Sequence, residues 1–155
     1  MQGYRFDDRN ITWRTFDFLG SAYFVYAADE PNGVVDVLIK FPPNRQGELH
    51  QHLMAYSTFV LQGELRFHRP NGELKEIRPT GSYVLGVANG EPHTEGAGDD
   101  EAIVLFSIRG GTGDMFAIFD KQTGEVRKLG FADFKAALAD QIASGATAKV
   151  GSRAP

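Results

Sequence analysis

Turn signals recur along most of this chain at intervals of about eight to twelve residues, which leaves room for strands and little else. "SAYFVYAAD" (21–29) and "GVVDVLIKF" (33–41) read as two strands joined at "EPNG". "AYSTFVLQGELRFHR" (55–69) reads as a strand, a break at Gly63 and a second strand. "PNG" at 70–72 is a tight hairpin turn, because Asn-Gly accepts the positive φ angles such turns need, and "ELKEIRP" returns from it. "GSYVLGV" (81–87) and "EAIVLFSIRG" (101–110) are further strands, and "GDMFAIFDKQTGEVRKLG" (113–130) closes as a hairpin at "KQTG". Strands this short and this regularly punctuated predict an all-β sandwich or barrel. Only "FADFKAALADQIASG" (131–145) changes period. Phe131, Phe134, Ala137, Leu138 and Ile142 fall at helical spacing, and Gly145 offers a stop. A single domain is expected over 1–145, with "ATAKVGSRAP" (146–155) as a flexible C-terminal tail.

What the chain lacks narrows its function. It has no cysteine, so a disulfide framework and a thiolate metal site are both excluded. Any transition metal must then rest on His, Asp, Glu or Tyr. The net charge of −4, with acids and bases interspersed, does not provide the basic face of a nucleic-acid binder. The N-terminal "MQGYRFDDRN" has no apolar core of a secretion signal, and no apolar run approaches a membrane span. The expectation is a cytoplasmic soluble domain, with neither nucleic acid nor membrane as partner.

Against that background two of the four histidines stand one residue apart, in "GELHQHL" (47–53). Side chains on a strand alternate between faces, so His50 and His52 point the same way, as two ligands of one metal must. The bland alternative is a pair of surface or hydrogen-bonded histidines. A third histidine, His93, ends "GSYVLGVANGEPH" (81–93). The order Gly47, His50, His52, Gly63 and then Gly81, Gly90, His93 resembles the two motifs of the cupin superfamily, the RmlC-like proteins. That resemblance implies a double-stranded β-helix, or jelly-roll barrel, with extra N-terminal strands and a C-terminal helix. It also implies a metal held by His50, His52 and His93.

Most metal-binding cupins carry a glutamate seven residues before the closing glycine of the first motif; here that position is Tyr56, read as filling space. The chain therefore resembles the three-histidine type, and within it the acetylacetone-cleaving and 2,4′-dihydroxyacetophenone dioxygenases. The stretches "HQHLMAYSTFVLQGELRF" and "GSYVLGVANGEPHT" carry the likeness, with "IVLFSIRGG" leading on to the C-terminal helix. Members of that group often have an acidic residue where this chain has Gly86. The resemblance implies a non-haem Fe(II) dioxygenase that cleaves a C–C bond of a 1,3-dicarbonyl or hydroxyketone bound as its enolate. Zn, Mn and Ni also accept imidazole. Neutral imidazoles would leave such an ion its full charge and about three open positions. The alternatives are a non-enzymatic metal- or small-molecule-binding sensor and a cupin isomerase.

Period-2 alternation from His52 makes Met54, Tyr56, Thr58 and Gln62 pocket candidates, with the proviso that a bulge would reverse them. Phe24 and Tyr26 read as an apolar mouth, or as core or dimer-interface residues. Arg66 reads as a solvated charge and His68 as an exposed histidine beside a turn. Glu95 offers a partner for a metal-ligating imidazole, or a loop charge in "EPHTEGAGDDE", the reading preferred. Exposed strand edges and surplus aromatics favour a homodimer or higher homo-oligomer.

Overall fold

The computed structural model describes residues 3–15 and 21–145; the expected tail, 146–155, lies outside them. The chain begins with β1 (Arg14–Thr15), β2 (Ala22–Asp29), β3 (Val34–Phe41) and β4 (His50–His52). Then come β5 (Ala55–Gln62), β6 (Glu64–His68), β7 (Leu74–Pro79) and β8 (Tyr83–Gly86). β9 (Thr94–Ala97), β10 (Ala102–Arg109), β11 (Asp114–Phe119) and β12 (Val126–Gly130) lead into helix α1 (Phe131–Ala143). The strands pair in the order β1-β2-β3-β10-β5-β8 in one antiparallel sheet, and as β12-β11-β4 and β7-β6-β9 in two smaller ones. Isolated bridges Gln46↔Gly96 and His50↔His93 stitch the two smaller sheets into one facing layer. The result is the expected jelly-roll barrel, closed at the seam where the histidines lie.

The large sheet is apolar on both faces, which explains runs such as "VLI" and "AIVLF" that alternation alone would not write. Inward, Val35, Val37, Val60, Val104, Phe106 and Ile108 are buried in the barrel core. Outward, Phe24, Leu38 and Ile103 form a second cluster covered by Phe6, Ile11 and Trp13 of the N-terminal segment. Each such side chain contributes roughly 1.5–3 kcal/mol on burial. Phe24 and Tyr26, whose rings meet edge-on at 5.4 Å, therefore belong to this outer packing and line no mouth.

Helix α1 closes one end of the barrel. Asp133 accepts a bond from the Gly130 N–H at 2.8 Å and so fixes its first turn. Its inner face is Phe131, Phe134, Leu138 and Gln141; Ile142, expected on that face, is exposed. Gln141 takes the inner position because its amide bonds both main-chain groups of Val25, at 2.8 and 2.9 Å. A buried polar side chain is stable there because both its groups are satisfied.

Candidate metal centre

β4 is three residues long and is placed by its neighbours. It pairs with β11 through Phe116↔His52 and Ile118↔His50, while His50 and His93 exchange both main-chain bonds, at 3.0 and 2.9 Å. Residues paired in this way on antiparallel strands project side chains to the same face. Alternation then adds His52 beside His50 and Glu95 beside His93. Gln51, between the two histidines, faces the other way and donates to the Gly90 carbonyl at 2.9 Å. The Asn89 N–H donates to the His52 carbonyl at 2.8 Å. The turn before His93 is thus fastened to the strand that carries His-x-His.

The product is a buried group of four donors, His50, His52, His93 and Glu95, whose ligand atoms all lie within 4.8 Å of one another. Glu95 Oε1 stands 3.5, 3.1 and 3.0 Å from the Nε2 atoms of His50, His52 and His93. Two cis donors on one ion with bonds of about 2.1 Å are about 3.0 Å apart, so these spacings, which are hydrogen-bond distances in the metal-free cluster, also suit ligands that share a cation. The proton inventory points the same way. His50 Nδ1 lies 2.9 Å from the Glu48 carbonyl, which requires its proton there. Its Nε2 is then the atom that faces Glu95, as a donor to the carboxylate when protonated or, when neutral, as a lone pair available to a cation that the two share. The donor set fits a divalent metal.

In the metal-free cluster the charges balance one another. Burial works to raise the pKa of Glu95, but the three imidazoles overcome it and hold the carboxyl well below the usual carboxylate range. Burial likewise works to lower His50, yet the charge and hydrogen bond of Glu95 leave it raised. His52 is pushed down to about 4 by burial, with the neighbouring histidines adding to the effect and Glu95 opposing it. A neutral His52 beside an ionised Glu95 is the protonation state a metal needs, and His50, whose protonated form Glu95 favours, gives up its proton when a metal binds.

Of the pocket candidates, Tyr56 meets the cluster directly. Its ring stacks on His52 with centroids 3.6 Å apart and 12° between planes. Burial and the nearby Glu95 push its phenol well above the ordinary value, so it stays protonated. Gly86 lies against it: a β-carbon there would collide with the Tyr56 ring. The tyrosine thus occupies the space an acidic side chain at position 86 would use. Thr58 is buried one layer back, accepting from Arg78 Nη1 at 2.8 Å. Met54 packs beside Gly110 and Gly111. Gln62 is turned away by a bulge between Val60 and Gln62, and its oxygen accepts from the Phe6 N–H at 3.0 Å.

Glu95 corrects the loop reading. It sits in β9 at 4% exposure, inside the cluster. The signal was available, since His93-x-Glu95 has the same spacing as His50-x-His52. Arg78, missed altogether, is 7% exposed, with its guanidinium 4.1 Å over the Phe67 ring and bonded to Glu76. It lines an open recess of about 190 Å³ with His52, Tyr56, His93, Leu85 and Val87. Arg66 pairs with Glu64, and His68 stands outside the donor group.

A jelly roll with a His-x-His strand bridged to a third histidine is a cupin by fold, and solved structures bear this out. The chain is similar to an RmlC-like cupin protein from Ralstonia eutropha JMP134, with TM-score 0.70 and 15% identity over 93% of this chain and 89% of that one. It is similar to an acetylacetone dioxygenase from Acinetobacter johnsonii, with TM-score 0.64 and 14% identity over 90% and 92%. The polyketide cyclase RemF from Streptomyces resistomycificus aligns with TM-score 0.54 and 18% identity over 70% and 80%. At such identities the likeness is one of fold, and the named activities differ. No protein-family model and no curated protein sequence matches the chain. No helix among the described residues is long and apolar enough to cross a membrane.

Proposed function

We propose that this chain is a metal-dependent cupin enzyme, a non-haem Fe(II) dioxygenase that cleaves a C–C bond in a small 1,3-dicarbonyl or hydroxyketone bound as its enolate. The observation that carries the reading is a buried group in which three Nε2 atoms stand 3.0–3.5 Å from one carboxylate oxygen, with all four donors within 4.8 Å of one another. His50, His52, His93 and Glu95 would hold the ion. The ion would supply Lewis acidity toward a chelated enolate and, as iron, a route to O₂. Glu95 changes the charge balance expected from three histidines: a divalent ion with one carboxylate leaves a single positive charge, which a monoanionic enolate cancels.

The remaining roles belong to the pocket. Tyr56 holds the His52 ring flat and, as a protonated phenol, offers a neutral wall. Arg78, pinned by Thr58 and Glu76, presents a fixed cation in the recess where an anionic substrate enters. Leu85 and Val87 supply apolar surface at its rim. Cleavage places both atoms of O₂ in the two fragments, so no outside reductant is required. The kinship in fold with an acetylacetone dioxygenase supports this choice among oxygenase chemistries.

The charged groups at the recess bond one another, Lys75 to Glu91 and Arg78 to Glu76. Among the described residues that line the recess, no unpaired carboxylate or lysine stands ready for proton transfer, which favours a binding or sensor cupin over an isomerase as the second reading. Elemental analysis of the purified protein, followed by oxygen uptake with a 1,3-dicarbonyl, separates the two. Iron near one per chain and uptake that disappears in His50→Ala is the expected result. Absence of metal after anaerobic reconstitution with Fe²⁺ would rule the oxygenase out.

A further inference from the structure

The donor group has two sides. His52 and His93 line the open recess with Arg78; His50 and Glu95 line a second cavity that shares no wall residue with the first. This inner chamber lies inside the barrel, between Phe106 and Phe116 of the core and Leu129 and Phe134 at the helix end. Apart from His50 and Glu95 its side-chain lining is apolar, and it has about 30 Å³ of free space. That is far below the several hundred cubic ångströms of an organic substrate site and of the order of one or two small molecules.

Water has little to hold it there. A buried water makes about three hydrogen bonds. His50 has both ring nitrogens engaged, Nδ1 at the Glu48 carbonyl and Nε2 toward Glu95. Oε1 of Glu95 already faces three imidazoles, which leaves Oε2 as a single side-chain acceptor for a water that needs about three partners. A small cavity that is apolar and short of free polar partners stays dry and takes up apolar molecules.

We propose that the inner chamber is a binding site for a small apolar molecule, dioxygen, delivered to the side of the donor group opposite the substrate recess. This deepens the oxygenase reading and rests on it for the purpose of the site, though not for its occupancy. Two separate approaches would let the organic anion fill the polar recess without displacing the gas. Phe134 and Leu129 give the C-terminal hairpin and helix a part in the site, because they form the chamber's end wall.

The test uses the full-length protein. Methyl resonances of metal-free protein are recorded under nitrogen and under several atmospheres of O₂, whose paramagnetism broadens signals near any site it occupies. Selective broadening of the Ile39, Ile118 and Leu129 methyls, well beyond that of the buried Leu38 methyls in the outer cluster, is expected. Uniform broadening, or none at Ile118 and Leu129, would overturn the proposal whatever the metal content. On iron-loaded protein, Leu129→Phe is expected to raise the KM for O₂ severalfold at unchanged iron content, with Leu129→Met as a milder variant should the larger ring not fold. An unchanged KM for O₂ in both variants overturns delivery through the chamber. Wild-type protein that binds O₂ there yet consumes none would count against the dioxygenase and leave the site standing.

Discussion

The two layers of the barrel are built on different terms. Four strands of the large sheet, β2, β3, β5 and β10, run eight residues each and pair along nearly their whole length. The facing layer carries the donor group on a three-residue β4 and a four-residue β9, joined by isolated bridges. The first layer is held by area removed from water, the second by specific pairing. Stability and site chemistry should therefore break separately.

The largest effect falls on the site. His50→Ala is expected to reduce bound metal from about one per chain to well below stoichiometry, read by elemental analysis, because it removes one of four donors and leaves two imidazoles and a carboxylate with no further protein ligand. Glu95→Gln sharpens the point. If Glu95 is itself a ligand, metal affinity falls by more than the roughly 10–100-fold typical of groups that only orient a ligand. The metal-free Glu95→Gln protein should be less stable than the metal-free parent at neutral pH, since a carboxyl held below its ordinary pKa by the imidazoles contributes stability in its ionised form. An unchanged melting temperature would show that the imidazoles do not pair with Glu95 in the metal-free protein.

The scaffold gives the converse. Leu38→Ala, in the outer cluster, is expected to cost about 2–5 kcal/mol in urea unfolding by leaving a cavity under Phe24 and Trp13. Metal stoichiometry should be unchanged. Coupled loss of both would mean that the long sheet positions the donors more directly than the bridges suggest.

The same division explains what the sequence made legible. Long apolar strands between turns announced the barrel, and His-x-His announced two donors. β9 escaped because Thr-Glu-Gly-Ala has little intrinsic strand preference; it is drawn into the sheet by pairing with β6. Gly96 permits this, since a β-carbon there would strike the Arg45 carbonyl where the chain crosses. Gln62 was misplaced by a bulge that has no sequence mark of its own. Arg78 reads in "ELKEIRP" as one more surface charge; only the fold places it over Phe67.

Gly86 tests the contact between the layers at the recess. Gly86→Ala is expected to cost about 1–3 kcal/mol, since the new methyl group meets a Tyr56 ring that is already stacked on His52. In a Tyr56→Ala background the same substitution should cost little. A double-mutant cycle in calorimetry reads the difference, and additive costs would mean that the ring yields without disturbing His52.

The smallest effect concerns the strap that covers the large sheet. Asp8 accepts from Trp13 Nε1 and from Lys40 Nζ, both at 2.9 Å, and the Lys40 ammonium lies 4.8 Å over the Trp13 ring. Hydrogen bonds from Lys40 and then Trp13 lower the Asp8 pKa from 3.8. A depressed carboxyl contributes stability that is present above its unfolded value and is lost as pH falls through its folded one. Asp8→Asn should therefore cost up to about 1 kcal/mol at pH 7, the scale of a partly exposed ion pair. The gap between variant and parent should close below pH 3.8. A gap that persists at low pH would assign the contact to the Trp13 hydrogen bond and packing, leaving apolar cover as what holds the strap. The outer face would then follow the same rule as the core beneath it.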